Sequence, residues 1–319
     1  MDSERGENGR SKLSVLVAFI ALAALVAIVP VWTKTALDSI FPFQDLAGNA
    51  LSFALAGIVL ILLSAACRQR ALGVRQWSAI LVLWIPQWLA HALDVSYVGD
   101  VRWLHAPPSG LLFLLSIAAP IWLALLSAMQ LVSEQVPRAV VGASIAGIGA
   151  VCLVRPAYDL SVAPKEMPVA LVQLLLSITA VWTWVYAKSR LSSAGALAVA
   201  GSFLLLSASG DGGFWLLSER HFWQPVDWRE VAIPLFVQSA VIGGTWCLWF
   251  WLLERMTLAA FGMRAIAVWA AVLIFTLANS SLLNWRMDLA LAIALAAIVV
   301  GLRARVAEEQ PTALGLGGA

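Results

Sequence analysis

The sequence predicts an all-α polytopic membrane protein with ten transmembrane helices, arranged as two inverted five-helix repeats. Three observations carry that reading. Apolar runs long enough to cross a bilayer succeed one another from Leu13 to Val306 with only short polar turns between them, charge is scarce, and the second half repeats the span pattern of the first. A helix rising about 1.5 Å per residue needs roughly 20 mostly apolar residues to traverse a hydrocarbon core of about 30 Å. The chain is 61% hydrophobic and 12% charged, with a mean hydropathy of +0.88, against about 25% charged residues in soluble domains.

The spans fall at 13–34, 45–66, 78–98, 108–131, 138–155, 168–188, 193–209, 231–253, 257–279 and 287–305. The polar tail 1–12 precedes the first span without a small-residue cleavage site, so that span reads as an uncleaved signal anchor. The first span ends near Lys34 and Asp38, an i,i+4 pair at its outer end that reads as a solvated ion pair or a gate. The fourth span holds Pro120 in its middle, and Glu134 beyond it caps a turn before Pro137. In the fifth, Gly142, Gly147 and Gly149 permit close helix approach. Residues 13–155 form the first repeat, 156–167 an external linker, 168–305 the second repeat and 306–319 a cytoplasmic tail.

Lys and Arg accumulate in loops that stay in the cytoplasm. With the N-terminus inside, Arg5, Arg10, Lys12, Arg68, Arg70, Arg75, Arg138, Lys188, Arg190, Arg255, Arg303 and Arg305 are cytoplasmic, a majority of the 20 basic residues. Both termini are then cytoplasmic, in a bacterial inner (plasma) membrane. A net charge of +2 gives no reason to expect nucleic acid. Cys67, Cys152 and Cys247 are scattered without metal-ligand or disulfide spacing, so no metal or other cofactor is expected. The partners expected are a small-molecule substrate and the lipid bilayer. The sequence leaves the oligomeric state open, and a monomer suffices.

Sliding the second half over the first by 152 residues superposes the spans one on one and lays Gly262 on Gly110 and Gly301 on Gly149. Five spans is an odd number, so the second copy enters the membrane with opposite orientation. That architecture lets one site open alternately to either side.

The chain resembles the drug/metabolite transporter superfamily, and within it the EamA-like ten-helix transporters, from about Leu13 to Arg305. In the first copy the resemblance rests on Val31-Trp32-Thr33-Lys34-Thr35-Ala36-Leu37, on Pro108-Ser109-Gly110 ahead of Pro120, on Ser133-Glu134, and on Val141-Gly142-Ala143 through Gly147-Ile148-Gly149. In the second it rests on Leu253-Glu254-Arg255-Met256-Thr257-Leu258-Ala259-Ala260-Phe261-Gly262 at the start of the ninth span. Departures are Asn284-Trp285-Arg286 where the first copy has Val132-Ser133-Glu134, Val272 opposite Pro120, and Asn49 where relatives often carry arginine. The resemblance implies transport, usually export, without naming the cargo.

Polar groups within spans supply the candidate site, because a charge at the bilayer centre costs about 2.5–3.5 kcal/mol on insertion scales. In the third span Trp84, Gln87, Trp88, His91 and Asp94 share one helical face, which lines a cavity or forms a helix seam. Side chains lean toward the helix N-terminus, so Asp94 leans into the membrane, where it pairs with His91 for proton exchange or else sits at the interface. In the eighth span Gln238, Thr245 and Trp249 share a face with Trp246 alongside, as a second cavity wall or as aromatic packing. Arg264, about seven residues into the ninth span, reads as an anion clamp or a snorkelling anchor.

The function expected is therefore secondary transport of a small metabolite, amino acid or drug by alternating access, with export and proton coupling as the finer expectations, and no enzymatic activity. Two alternatives stand beside it. One is a non-transporting membrane interaction or sensor protein. The other is a membrane-embedded enzyme, since Tyr158-Asp159 and Ser209-Gly210-Asp211-Gly212 resemble an intramembrane aspartyl protease pair. Against the latter, both aspartates are expected in outer loops, and Ala208 stands where the motif needs glycine.

Overall fold

Backbone in hydrocarbon must satisfy its N–H and C=O groups internally, which makes helix the expected state of each apolar run. The computed structural model of the chain describes residues 13–27, 45–98, 114–154, 167–191, 194–218, 228–279 and 285–308, with the side chains of 45–46, 91–98, 218, 230, 276, 279 and 304–308 left out. Among them every regular element is a helix. In order these are α1 (Leu13–Ala27), α2 (Asp45–Ala66), α3 (Val74–Val98), α4 (Ala119–Ala128), α5 (Arg138–Leu153), α6 (Met167–Leu191), α7 (Ala196–Ser218), α8 (Trp228–Arg255), α9 (Leu258–Gly262), α10 (Arg264–Asn279) and α11 (Trp285–Glu308). The tail 1–12, Lys34, Asp38, Gly110, Asp159 and nearly all of the 156–167 linker lie outside the described residues.

Six stretches are long and apolar enough to cross a membrane by length and composition: Ala47–Ala66, Met167–Leu191, Ala196–Leu217, Val231–Arg255, Leu258–Phe275 and Trp285–Arg303. Their outward faces carry large apolar side chains, among them Leu62, Leu63, Leu175, Ile233 and Leu295. A continuous apolar exterior of this kind is stable in lipid and not in water. The chain is a membrane-embedded, all-helical protein. Leu258–Phe275 is 67% buried against 22% for Trp285–Arg303, which puts the interrupted pair α9 and α10 at the centre.

Small residues set the closest approaches, as expected where lipid is as apolar as leucine and van der Waals contact drives association. At the crossing of α2 and α7 a Cβ on Gly57 would stand 3.0 Å from the carbonyl oxygen of Gly201, and one on Gly201 would stand 3.0 Å from that of Gly57. In α5 only one of the three glycines expected at a contact is there. A Cβ on Gly147 would meet Ile266 Cδ1 at 2.7 Å, whereas Gly142 and Gly149 face outward with nothing within 4 Å. Beyond α2 with α7, the main pairings are α5 with α11, α3 with α6, α2 with α8, α10 with α11, α7 with α8, and α3 with α7.

Four connections meet at one end of the bundle. Gln69 Oε1 accepts from the Ala198 N–H at 3.4 Å, Lys188 Nζ donates to the Met256 carbonyl, and Glu134 Oε1 accepts from the Ala259 N–H at 3.2 Å. Glu134 therefore caps α9, in the other half of the chain, rather than its own turn. Thr257 caps the same terminus, its Oγ1 accepting from the Ala260 N–H at 3.3 Å. Glu134→Ala and Thr257→Ala are each expected to lower stability by about 1 kcal/mol, measured as the unfolding midpoint of purified protein. Equal stability of both variants and the parent would rule out capping.

Candidate functional site

Two helix interruptions and a proline inside a third helix border a cavity of about 210 Å³. Pro120 has no N–H to offer the carbonyl four residues back, and the helix is broken at Ala118. Side chains take up nearby carbonyls there. Ser177 Oγ and Trp122 Nε1 both donate to the Leu115 oxygen at 3.2 Å, and Ser144 Oγ donates to the Ile117 oxygen at 2.6 Å. The second interruption is the turn at Met263 between α9 and α10, where Arg264 Nη1 donates back to the Phe261 oxygen at 3.2 Å. Pro86 lies within α3, which continues through it. The cavity lies among these, with Pro86, Gln87 and Ala90 of α3, Leu115, Ser116 and Ala119 at the α4 break, Gln173, Ser177 and Trp184 of α6, and Arg264 on its walls.

Its polar atoms converge without satisfying one another. Gln87 Nε2, both amide atoms of Gln173 and Trp184 Nε1 are buried with no hydrogen-bond partner among the described residues. Among the described residues the guanidinium of Arg264 is stacked rather than paired, with Cζ 4.2 Å from the Trp184 ring centroid, 4.3 Å from Phe261 and 5.4 Å from Trp249. Buried polar groups are ordinarily paired, so a concentration of unpaired ones around a cavity points to a bound solute or water as the missing partner.

The stripe read from the third span divides. Gln87 faces the cavity, whereas Trp84 and Trp88 stack at 5.3 Å and turn to α7, Trp84 Nε1 donating to Ser207 Oγ at 3.2 Å and Trp88 Nε1 to Asp211 Oδ1 at 3.0 Å. His91 and Asp94 lie on α3, their side chains outside the described set. Trp246 and Trp249 sit in an aromatic cluster with Phe203 and Phe250 at centroid distances of 4.3 to 6.0 Å. Trp249 also reaches Arg264 through its ring. Gln238 Oε1 and Thr245 Oγ1 are buried and unpartnered among the described residues, away from the cavity walls.

Asp211 requires a correction. The sequence places it in an outer loop, yet α7 continues through it to Ser218 and it is 1% exposed. Gly210, Gly212 and Gly213 weaken the local helical preference, but Gly210 is also what lets the tryptophan pair lie against α7, since a Cβ there would stand 2.4 Å from Trp88 Nε1. Gln173 carries a sequence signal, since a lone amide in an otherwise apolar run is what singles out Gln87, whereas nothing in the sequence sets Trp184 apart from the other tryptophans.

No family model matches the chain. No curated protein matches it either. Among solved structures, one described only as the crystal structure of a protein superposes with a TM-score of 0.67 over 93% of this chain and 99% of its own, at 19% identity. The fold is shared over most of the chain. At that identity the likeness concerns fold alone.

Proposed function

We propose that the chain is a secondary transporter of a small solute, working by alternating access in a bacterial inner membrane with both termini cytoplasmic, in the manner of the EamA-like exporters it resembles. The observation that carries the reading is the cavity itself. Gln87, Gln173, Trp184 and Arg264 present unsatisfied or singly bonded polar atoms to a space lined by helices whose outward faces are apolar. Ionisable and polar side chains in such a position serve a solute path by default.

The helix pairings support two inverted repeats of five spans. Taking α9 with α10 as the ninth span and α11 as the tenth, the pairs second with seventh, fourth with ninth and fifth with tenth each map onto themselves when five is added. Third with seventh maps onto eighth with second, and fourth with fifth onto ninth with tenth, and all four pairs are in contact. Third with sixth maps onto eighth with first, where a Cβ on Gly244 would lie 3.7 Å from Leu25. Such an exchange relation is the basis of alternating access around a fixed midplane site.

The test uses a background lacking Cys67, Cys152 and Cys247, with single cysteines at Gln87, Ser177 and Ala180 and, as lipid-facing controls, at Leu62 and Leu175. A membrane-impermeant maleimide applied to each face of oriented vesicles is expected to label the three cavity positions from both faces and the controls from neither. Labelling from one face only would remove alternating access, and uniform inertness would remove the solute path.

A further inference from the structure

We infer that Arg264 is the anchor for a carboxylate, so that the solute taken by this cavity is a small organic acid or zwitterion. The inference rests on the transport reading only for the word transported; the anion site stands on its own geometry.

A guanidinium carries five N–H donors in one plane. Among the described residues those of Arg264 meet one protein acceptor, the Phe261 carbonyl. Trp184 and Phe261 lie within 4.3 Å of its Cζ and give cation–π contact. Aromatic rings shield the faces of a guanidinium from water but accept none of its in-plane hydrogen bonds. Among the described residues no carboxylate pairs with it, whereas Arg255 pairs with Glu254 at the exposed end of α8. Arg264 is partly buried, and a cation withdrawn from water without a counter-charge is disfavoured. Arg264 also lines the cavity, so a charged acceptor can reach it there.

The remaining wall selects among anions. One positive charge neutralises a carboxylate, and the fork geometry of arginine matches its two oxygens. A phosphate monoester carries about −1.5 to −2 at neutral pH and would stay negative in a low-dielectric site. Gln87 and Gln173 bring amide groups to the same space, with the Gln173 amide both buried and unpartnered. They suit a hydroxyl or amino group near the acid. The volume of about 210 Å³ lies below the roughly 300 Å³ at which pockets for drug-sized ligands begin. That favours a metabolite over a bulky drug.

The full chain in nanodiscs of phosphatidylcholine alone is titrated with benzoate, lactate and phenyl phosphate, and with benzamide and lactamide as uncharged counterparts, reading the unfolding temperature and tryptophan fluorescence. At least one carboxylate is expected to bind saturably and at least tenfold more tightly than its amide. Arg264→Gln is expected to weaken that binding tenfold or more, with Arg264→Lys between. The acid-against-amide comparison uses the parent protein, so it decides the matter even if Arg264→Gln fails to fold. Equal response to acid and amide, an unchanged affinity in a folded Arg264→Gln, or no acid-selective response from any probe would overturn the inference. So would preference for phenyl phosphate, or stabilisation by phosphatidylglycerol nanodiscs without solute that vanishes in Arg264→Gln, which would assign the site to a phosphate or to a lipid headgroup. Counterflow into proteoliposomes separates the two readings. Acid binding without counterflow leaves the anion site and removes transport, whereas counterflow of a neutral solute unaffected by Arg264→Gln leaves transport and removes the anion site.

Discussion

Gly210→Ala is expected to lower the unfolding free energy by about 2–4 kcal/mol, combining overpacking with disruption of a buried hydrogen bond. The added Cβ would stand 2.4 Å from Trp88 Nε1 and 2.9 Å from Trp84 Cζ2. Neither atom is at the end of a flexible chain, because both belong to indole rings stacked on each other. Moving the Trp88 ring breaks its donation to Asp211, a carboxylate only 1% exposed. Gly213→Ala is the control. It lies three residues along the same helix with nothing within 4 Å of its Cβ position, and should be neutral or stabilising by about 0.5–1 kcal/mol, the ordinary helical gain of alanine over glycine. Denaturant unfolding in one detergent, followed by tryptophan fluorescence, compares the two. Equal effects at both positions would show that helical propensity, and not the tryptophan contact, governs this segment.

The same segment shows where sequence reading stops. Apolar run length is a local property, so helix is found within each of the ten stretches expected, and α2 spans the same 45–66 as its stretch. The end of α7 depends instead on what packs beside it. Three glycines and an aspartate read as a loop by propensity, and the tryptophan pair of α3 holds them helical. The α3 stripe failed to resolve for a related reason. Periodicity groups Trp84, Gln87 and Trp88 on one face, but that face is wide enough to meet two neighbours, α7 through the indoles and the cavity beside α6 through the amide. Which neighbour lies where is tertiary information. Arg264 could be located but not interpreted, because a snorkelling anchor and a cavity cation share the same position in a span. Its stacking on Trp184, a residue 80 positions away, is tertiary information, and it supports the anion-site reading proposed above.

Gln173→Leu is expected to stabilise the protein by about 1–3 kcal/mol, since both of its buried amide atoms lack partners among the described residues and removing an unsatisfied polar group recovers its desolvation penalty. The substitution nearly conserves volume, so overpacking adds little. The effect on binding should have the opposite sign: affinity for the acid-selective probe should fall tenfold or more, as the wall facing Arg264 loses its hydrogen-bonding group. Stability gained while binding is lost marks a residue kept for the solute at the expense of the fold. A structural glutamine behaves the other way, because an amide satisfied within the bundle leaves its partners stranded when it is replaced. The unfolding midpoint and the binding titration, made on one preparation, decide between them. A destabilised Gln173→Leu with unchanged affinity would make Gln173 part of the helix contacts of α6, and would leave Arg264 and Gln87 as the polar groups on which solute recognition rests.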